Sequence, residues 1–145
     1  LTMSTNEKLS EVEHIKIKSN FLRGTIVESL ENQITGALNE DDVQLIKFHG
    51  SYQQFDRETE SERKKQKLEP LYSFMIRVKV PGGVTTPAQW LAIDGLSSKY
   101  GNETIKLTTR QAYQLHAIFK KDLKVDFSGL NLSINPALEY PFSQQ

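Results

Sequence analysis

The chain is predicted to be an α+β protein, with a helical arm first and a mostly antiparallel sheet after it. Two observations predict this class. Phe74, Ile76, Val78 and Val80 alternate with Met75, Arg77 and Lys79, and Tyr113 and Leu115 alternate with Gln114 and His116, as in strands at 72–80 and 113–119. Between these stretches lies a helix signature that opens at Thr86 and Pro87. With 145 residues, the chain has room for one domain with a real core and not for two.

The first part of the chain has helical character. Apolar residues are loosely spaced from Val12 to Leu30, and Gly24 interrupts them, which favours two short helices over one long helix. The segment from Val43 to Phe48 then alternates well enough to predict a strand. The mixed-charge stretch from Asp56 to Lys67 is typical of a solvated loop or an exposed helix.

The second part is the most regular. The strand that begins at Tyr72 ends at Pro81-Gly82-Gly83, because proline lacks a donor and two glycines permit a tight turn. Thr86 is a suitable N-cap with Gln89 completing a capping box, and Gly101 supplies the stop. The residues predicted to share the sheet-facing side of this helix are Trp90, Ile93 and Leu96 or Ser97. With further strands at 104–107 and 113–119, this is a split β-α-β unit, half of a ferredoxin-like fold.

A polar surface is predicted on the last two strands. Gln114 and His116 have the opposite parity to Tyr113 and Leu115, so they project together from the other face. With Lys106 and Arg110 they can line one cationic surface, as binding an anionic, flat ligand requires. The alternative is an amphipathic sheet edge wetted on one side.

The composition excludes several classes of protein and of binding site. Eighteen basic and eighteen acidic residues cancel, so no global field draws the chain to nucleic acid or to anionic lipid. No apolar run approaches the roughly 18 residues of a membrane helix. The chain has no cysteine, which excludes disulfides and thiolate ligation of a metal or cluster by this chain.

Five blocks of the sequence, in the same order along the chain, resemble those of a known protein family. The chain resembles the sirohaem-dependent nitrite and sulfite reductases, and among them the haemoprotein (beta) subunits of the assimilatory, NADPH-linked type, over roughly Glu11 to Lys121. The blocks are Ser19-Asn20-Phe21-Leu22-Arg23-Gly24-Thr25, Phe48-His49-Gly50-Ser51-Tyr52-Gln53-Gln54, Gln66-Lys67-Leu68-Glu69-Pro70, Phe74-Met75-Ile76-Arg77-Val78-Lys79-Val80-Pro81-Gly82-Gly83 and Leu107-Thr108-Thr109-Arg110-Gln111-Ala112-Tyr113-Gln114-Leu115-His116.

The resemblance implies an oxidoreductase. The complete enzyme would reduce sulfite to hydrogen sulfide by six electrons from NADPH, delivered by a flavoprotein (alpha) subunit. Its implied cofactors are sirohaem and a 4Fe-4S cluster, and its implied compartment is the cytoplasm, where it would serve cysteine synthesis. The cluster's cysteine motifs are absent here, so the chain alone is predicted to be inactive.

The resemblance also implies roles for single residues. Arg77 matches the family's sulfite-contacting arginine, and His116 matches a sirohaem-pocket residue that is not the axial iron ligand. His49 is assigned only to packing and turn formation. The residues that match the sirohaem-contacting segment are Lys106, Thr108, Thr109, Arg110, Gln114 and His116. Arginine is preferred over lysine for carboxylates because its planar fork binds them bidentately.

The chain departs from the family pattern at a few positions. Phe55 replaces an acidic residue, in what is predicted to be a surface loop, and Ala117 stands where glycine follows the histidine. The predicted division is a helical arm at 1–42, the nitrite/sulfite reductase ferredoxin-like half-domain at 43–121, and a divergent or truncated tail at 122–145. Two alternatives stay open: a ferredoxin-dependent nitrite or sulfite reductase, and a non-catalytic half-domain that acts as a binding module.

Overall fold

The computed structural model describes residues 9–123, so the predicted tail lies outside the described residues from 124 onward. Residues 9–123 form five α-helices and four strands in an α+β arrangement, as predicted. The helices are α1 (Glu11–Lys18), α2 (Ile26–Glu31), α3 (Glu40–Leu45), α4 (Arg57–Lys65) and α5 (Pro87–Tyr100). The strands are β1 (Ser51–Phe55), β2 (Tyr72–Val78), β3 (Ile105–Leu107) and β4 (Tyr113–Ile118).

The strands form one antiparallel sheet in the order β1-β2-β4-β3. β4 lies between β2 and β3 and runs antiparallel to both, so β2 and β3 are parallel to each other. Since α5 connects β2 to β3, these elements form the predicted split β-α-β unit. The capping box of α5 is present, with the Thr86 hydroxyl accepting from Gln89 N and the Gln89 side chain accepting from Thr86 N.

One face of the sheet supplies the core. Phe74, Ile76 and Leu115 are fully buried there, and they pack with Ile93 of α5. Each such side chain stabilises the fold by about 1.5–3 kcal/mol. The arm joins the same core, through Ile26, Leu30, Leu38 and Leu45.

The predicted strand from Val43 to Phe48 is wrong, because α3 and a 3-10 turn occupy this stretch. The acidic first turn of α3 favours helix through the positive end of the helix dipole. The turn ends at Gly50, whose φ of 85° reverses the chain into β1. Phe55 consequently lies in β1, opposite Tyr72, and not in a surface loop.

Other predicted elements have clear outcomes. The arm contains two short helices, α1 and α2, as predicted, and the charged stretch contains the exposed helix α4, which buries no residue. Trp90 is 42% exposed, so the prediction that it packs with Ile93 beneath the sheet is wrong. Its ring instead meets Tyr113 edge-on at 5.5 Å, at the end of the sheet. No helix of residues 9–123 is long and apolar enough to span a membrane.

Candidate functional site

The face of the sheet opposite the core carries polar side chains from all four strands. The pairing registers place them on one side: Tyr52 opposite Met75, Arg77 opposite Gln114, and Gln114 opposite Lys106. We define the polar face by these side chains: Tyr52, Gln54, Met75, Arg77, Lys106, Gln114 and His116.

A cationic row crosses the polar face. Arg77, Gln114 and Lys106 are direct neighbours on β2, β4 and β3. Two strand spacings separate the outer pair, so the two cationic residues stand roughly 10 Å apart. Neither Arg77 nor Lys106 forms an ion pair within residues 9–123. The row therefore presents uncompensated positive charge.

Arg77 is backed by an aromatic ring. Its guanidinium carbon lies 5.9 Å from the centroid of the Tyr52 ring, at the distance of a cation–π contact. Its Nε is buried and has no hydrogen-bond partner among residues 9–123. Because a buried donor without a partner costs free energy, this atom is poised to donate to a ligand.

His116 lies on this face because it alternates with Leu115, and a β-bulge follows it. Two residues of β4, His116 and Ala117, oppose the single Met75 of β2 between the pairs Ile76–Leu115 and Phe74–Ile118. Ala117, the extra residue of the bulge, has a φ of 62°. The ring of His116 then reaches β1, where its Nδ1 lies 3.3 Å from Gln54 Oε1.

Like Arg77 Nε, the other ring nitrogen of His116 is a buried polar atom. His116 Nε2 is buried, and no atom of the described part of the chain forms a hydrogen bond with it. Burial, and secondarily the positive charge of Lys106, hold the pKa of His116 below its usual value. The imidazole is therefore neutral at physiological pH, with a vacant nitrogen on the cationic face.

The loop between β3 and β4 carries the remaining predicted residues. Thr108 closes the loop: its backbone N–H donates to Ala112 O at 3.0 Å, and its hydroxyl accepts from Ala112 N at 3.2 Å. Thr109 and Arg110 are exposed at its tip. The loop follows β3 at the end of the sheet where the Pro81–Gly83 turn follows β2, and Gln111 lies against Gly83.

The structure thus brings four of the seven predicted residues onto one face: Arg77, Lys106, Gln114 and His116. Thr108, Thr109 and Arg110 lie in the loop at the adjoining end of the sheet. Sequence reasoning missed Tyr52 and Gln54, because β1 was not predicted as a strand. Their alternation, Ser51-Tyr52-Gln53-Gln54-Phe55 after Gly50, is the signal that could have found them.

A separate cleft of about 350 Å³ lies away from the polar face, and no predicted site residue lines it. Two charged residues of this cleft form hydrogen bonds with the loop at 35–37. Lys120 Nζ donates to the carbonyls of Thr35 and Ala37 at 3.1 and 2.7 Å. The Glu69 carboxylate accepts from the Thr35 hydroxyl and from Gly36 N, which holds the pKa of Glu69 below its usual value.

Known proteins resemble this chain in sequence and in fold. Residues 66–130 match the family described as the nitrite/sulfite reductase ferredoxin-like half domain. The chain is 59% identical over 129 residues to the sulfite reductase (NADPH) hemoprotein beta-component of Oceanobacillus iheyensis, and 57% identical over 123 residues to that of Myxococcus xanthus. The predicted resemblance to these haemoproteins is confirmed.

The similarity covers most of this chain and a small part of the relatives. The chain is matched over 89% and 85% of its length and spans 22% of each of the two relatives. The structure of the Mycobacterium tuberculosis NirA protein has the same fold, with a TM-score of 0.68 and 23% identity. That match covers 88% of this chain and 24% of NirA.

The side chains of the polar face that could bind a cofactor are cationic, and they suit an anionic cofactor better than a metal ion. No cluster of His, Cys, Asp or Glu within residues 9–123 could bind a metal ion, and the whole sequence lacks cysteine. The residues do fit a flat polycarboxylate such as sirohaem, because the polar face offers a donor without a partner on Arg77 and unpaired positive charge. They do not fit an iron–sulfur cluster, which needs thiolates.

Proposed function

We propose that this chain supplies the sirohaem- and sulfite-contacting surface of a sulfite reductase haemoprotein. In complete form the protein would reduce sulfite to hydrogen sulfide in the cytoplasm, with six electrons from NADPH delivered through a flavoprotein subunit. The names of the relatives support the substrate and the electron source. The observation that carries the proposal is that two buried polar atoms without partners, Arg77 Nε and His116 Nε2, belong to the same cationic face.

Arg77 is the proposed sulfite contact. Its guanidinium is fixed from one side by the Tyr52 ring, so its remaining donors can hold an oxyanion without a large loss of side-chain freedom. A donor held in this way stabilises negative charge that develops as an S–O bond weakens.

The proposed sirohaem contacts are Lys106, Thr108, Thr109, Arg110, Gln114 and His116. When bound, sirohaem supplies the iron that holds sulfite during its reduction. Lys106 and Gln114 extend the cationic row away from Arg77, so they can receive carboxylates along one edge of the macrocycle. Arg110 is exposed at the tip of the adjoining loop and forms no ion pair with the residues that the structure describes, so its planar fork is available to a further carboxylate.

A chimera tests the proposal. Residues 11–123 of this chain replace the matching segment of the Oceanobacillus iheyensis relative, and the purified protein is assayed for sirohaem absorbance and for reduction of sulfite by a chemical electron donor. We expect a loaded, active chimera. The Arg77→Ala chimera should keep its sirohaem but lose about 100- to 1,000-fold in kcat/KM for sulfite, equivalent to roughly 3–4 kcal/mol of transition-state stabilisation.

Arg110 separates cofactor retention from turnover. Arg110→Ala should lower the sirohaem content of the chimera, and Arg110→Lys should restore it only in part, because lysine supplies a point charge without the fork. Arg57→Ala, an exposed arginine of α4, is the matched control and should change neither quantity. A loaded chimera in which Arg77→Ala has normal sulfite kinetics would contradict the proposed role of the polar face.

A further inference from the structure

Gln54 makes the one side-chain hydrogen bond that His116 forms within residues 9–123. The contact joins β1 to β4 across β2, from Gln54 Oε1 to His116 Nδ1 at 3.3 Å. A carbonyl oxygen accepts and cannot donate, so the contact is a hydrogen bond only when Nδ1 carries the proton. In the neutral ring the other nitrogen, Nε2, then holds a lone pair.

The positive charge of Lys106 acts on the ring that carries this lone pair. The groups that share the face with the ring are Arg77 on β2, Lys106 on β3, and Gln54 with the phenol of Tyr52 on β1. None of these is a carboxylate, so no neighbour on the face favours protonation of Nε2. An anion that reaches the polar face changes this balance, because negative charge beside Nε2 favours the imidazolium.

We infer that Gln54 is a positioning residue that holds the proton of neutral His116 on Nδ1, so that Nε2 gains a proton when a carboxylate binds the polar face. The inference rests on the proposed function, since it is the sirohaem carboxylates that would bring the charge. The proton comes from solvent. The charge of the imidazolium then attracts the carboxylate, while Nδ1 continues to donate to Gln54.

Two consequences follow. Without Gln54 the neutral ring is free to carry its proton on Nε2, so the tautomer ratio must shift. Carboxylate binding must also be linked to the uptake of one proton at His116. The affinity then falls by about tenfold per pH unit between the pKa values of the free and the bound states.

The first measurement needs no cofactor. The chain is labelled with ¹⁵N-histidine, and the His116 resonances are assigned by their loss in His116→Gln. Above the pKa of His116 we expect a pyrrole-like Nδ1 and a pyridine-like Nε2. Gln54→Met keeps a side chain of similar length without the acceptor and should move the ratio toward protonated Nε2. Gln44→Met, on α3, is the matched control and should leave it unchanged.

The second measurement uses uroporphyrin, an iron-free porphyrin rich in carboxylates, titrated into the chain at several pH values and followed by its fluorescence. The wild-type affinity should fall with rising pH, and His116→Gln should remove this dependence. A wild-type ring with its proton on Nε2, or an affinity that does not depend on pH, would overturn the inference. Absence of uroporphyrin binding at every pH would count against the proposed function, and the tautomer measurement then decides the inference by itself.

Discussion

At the scale of single residues, His116 links the polar face to pH. Its pKa is below the ordinary value of 6.5 because the ring is desolvated and lies near Lys106. The unfolded chain therefore binds more protons than the folded chain as the pH falls through 6.5 toward the folded pKa. His116 thus lowers the free energy of unfolding across that window and has no such effect above it.

We expect His116→Gln to remove this part of the pH dependence. Urea unfolding of the wild type and the variant, at about pH 7.5 and about pH 5.5, measures it. The wild type should lose more stability than the variant between the two conditions. Equal losses would show that the histidine titrates in the folded chain as it does in the unfolded chain.

Asp42 is a buried carboxylate held by hydroxyl and backbone donors. It is 1% exposed, and its oxygens accept from Thr25 N at 3.0 Å, from the Thr25 hydroxyl at 2.8 Å and from the Ser29 hydroxyl. These bonds connect α3 to the start and middle of α2. Asp42→Asn turns an amide N–H₂ toward one of these donors, so at least one hydrogen bond is lost inside the protein.

The expected cost of Asp42→Asn is about 2–4 kcal/mol in the free energy of unfolding, measured by urea titration. Asp41→Asn, at an exposed position of the same helix, is the control and should stay within about 0.5 kcal/mol. If both variants unfold at the same urea concentration as the wild type, the Asp42 network contributes nothing to stability.

Residue-scale prediction from the sequence succeeded where periodicity alone decides which way a side chain points. The parity of Gln114 and His116 predicted their common face, and the bulge comes only after His116. Trp90 shows the limit. The helical spacing predicted that Trp90 lies on the same side of α5 as Ile93. Whether Trp90 is buried depends on how far the sheet extends beneath α5, and this cannot be predicted from spacing along the helix.

At the scale of elements, the bulge in β4 stores strain. Ala117 adopts a φ of 62°, a region in which a Cβ costs about 1–2 kcal/mol. The family pattern has glycine at this position. Ala117→Gly removes the clash, and the added flexibility of the unfolded chain offsets part of the gain.

We therefore expect Ala117→Gly to raise the free energy of unfolding by about 0.5–1 kcal/mol, measured by urea titration. Ala92→Gly, in the middle of α5, is the opposite-sign control and should lower it by about 1 kcal/mol. A loss of stability in Ala117→Gly similar to that in Ala92→Gly would contradict the strain at the bulge.

Elements with strong local signals were predictable and those set by long-range pairing were not. The capping box and the stop at Gly101 define α5, and alternation defines β2 and β4. The stretch 43–48 alternates like a strand, yet it folds as a helix and a turn in which Leu45 and Ile46 are both buried. The strand β1 exists because β2 offers it a partner, a contact between residues that are distant along the chain.

At the scale of the whole molecule, the sequence predicts that this chain binds the anionic ligands and that it does not bind the iron–sulfur cluster. The chain contributes cations and no thiolates, because it contains no cysteine. The purified chain should hold no iron–sulfur cluster, and it should produce no sulfide from sulfite with an artificial electron donor. Sulfide formation above a no-protein control would show that the assignment of this chain to binding alone is wrong.

The most direct test of the central claim is to find which surface of the molecule binds a carboxylate-rich macrocycle. The ¹⁵N-labelled chain is titrated with uroporphyrin, and the perturbed backbone amides are mapped. We predict perturbations on β2, β3 and β4 around Arg77, Lys106 and Gln114 and in the 108–112 loop, and Arg77→Ala should weaken them. Perturbations confined to the cleft between 33–36, 69–72 and 119–121 would contradict the assignment of the polar face.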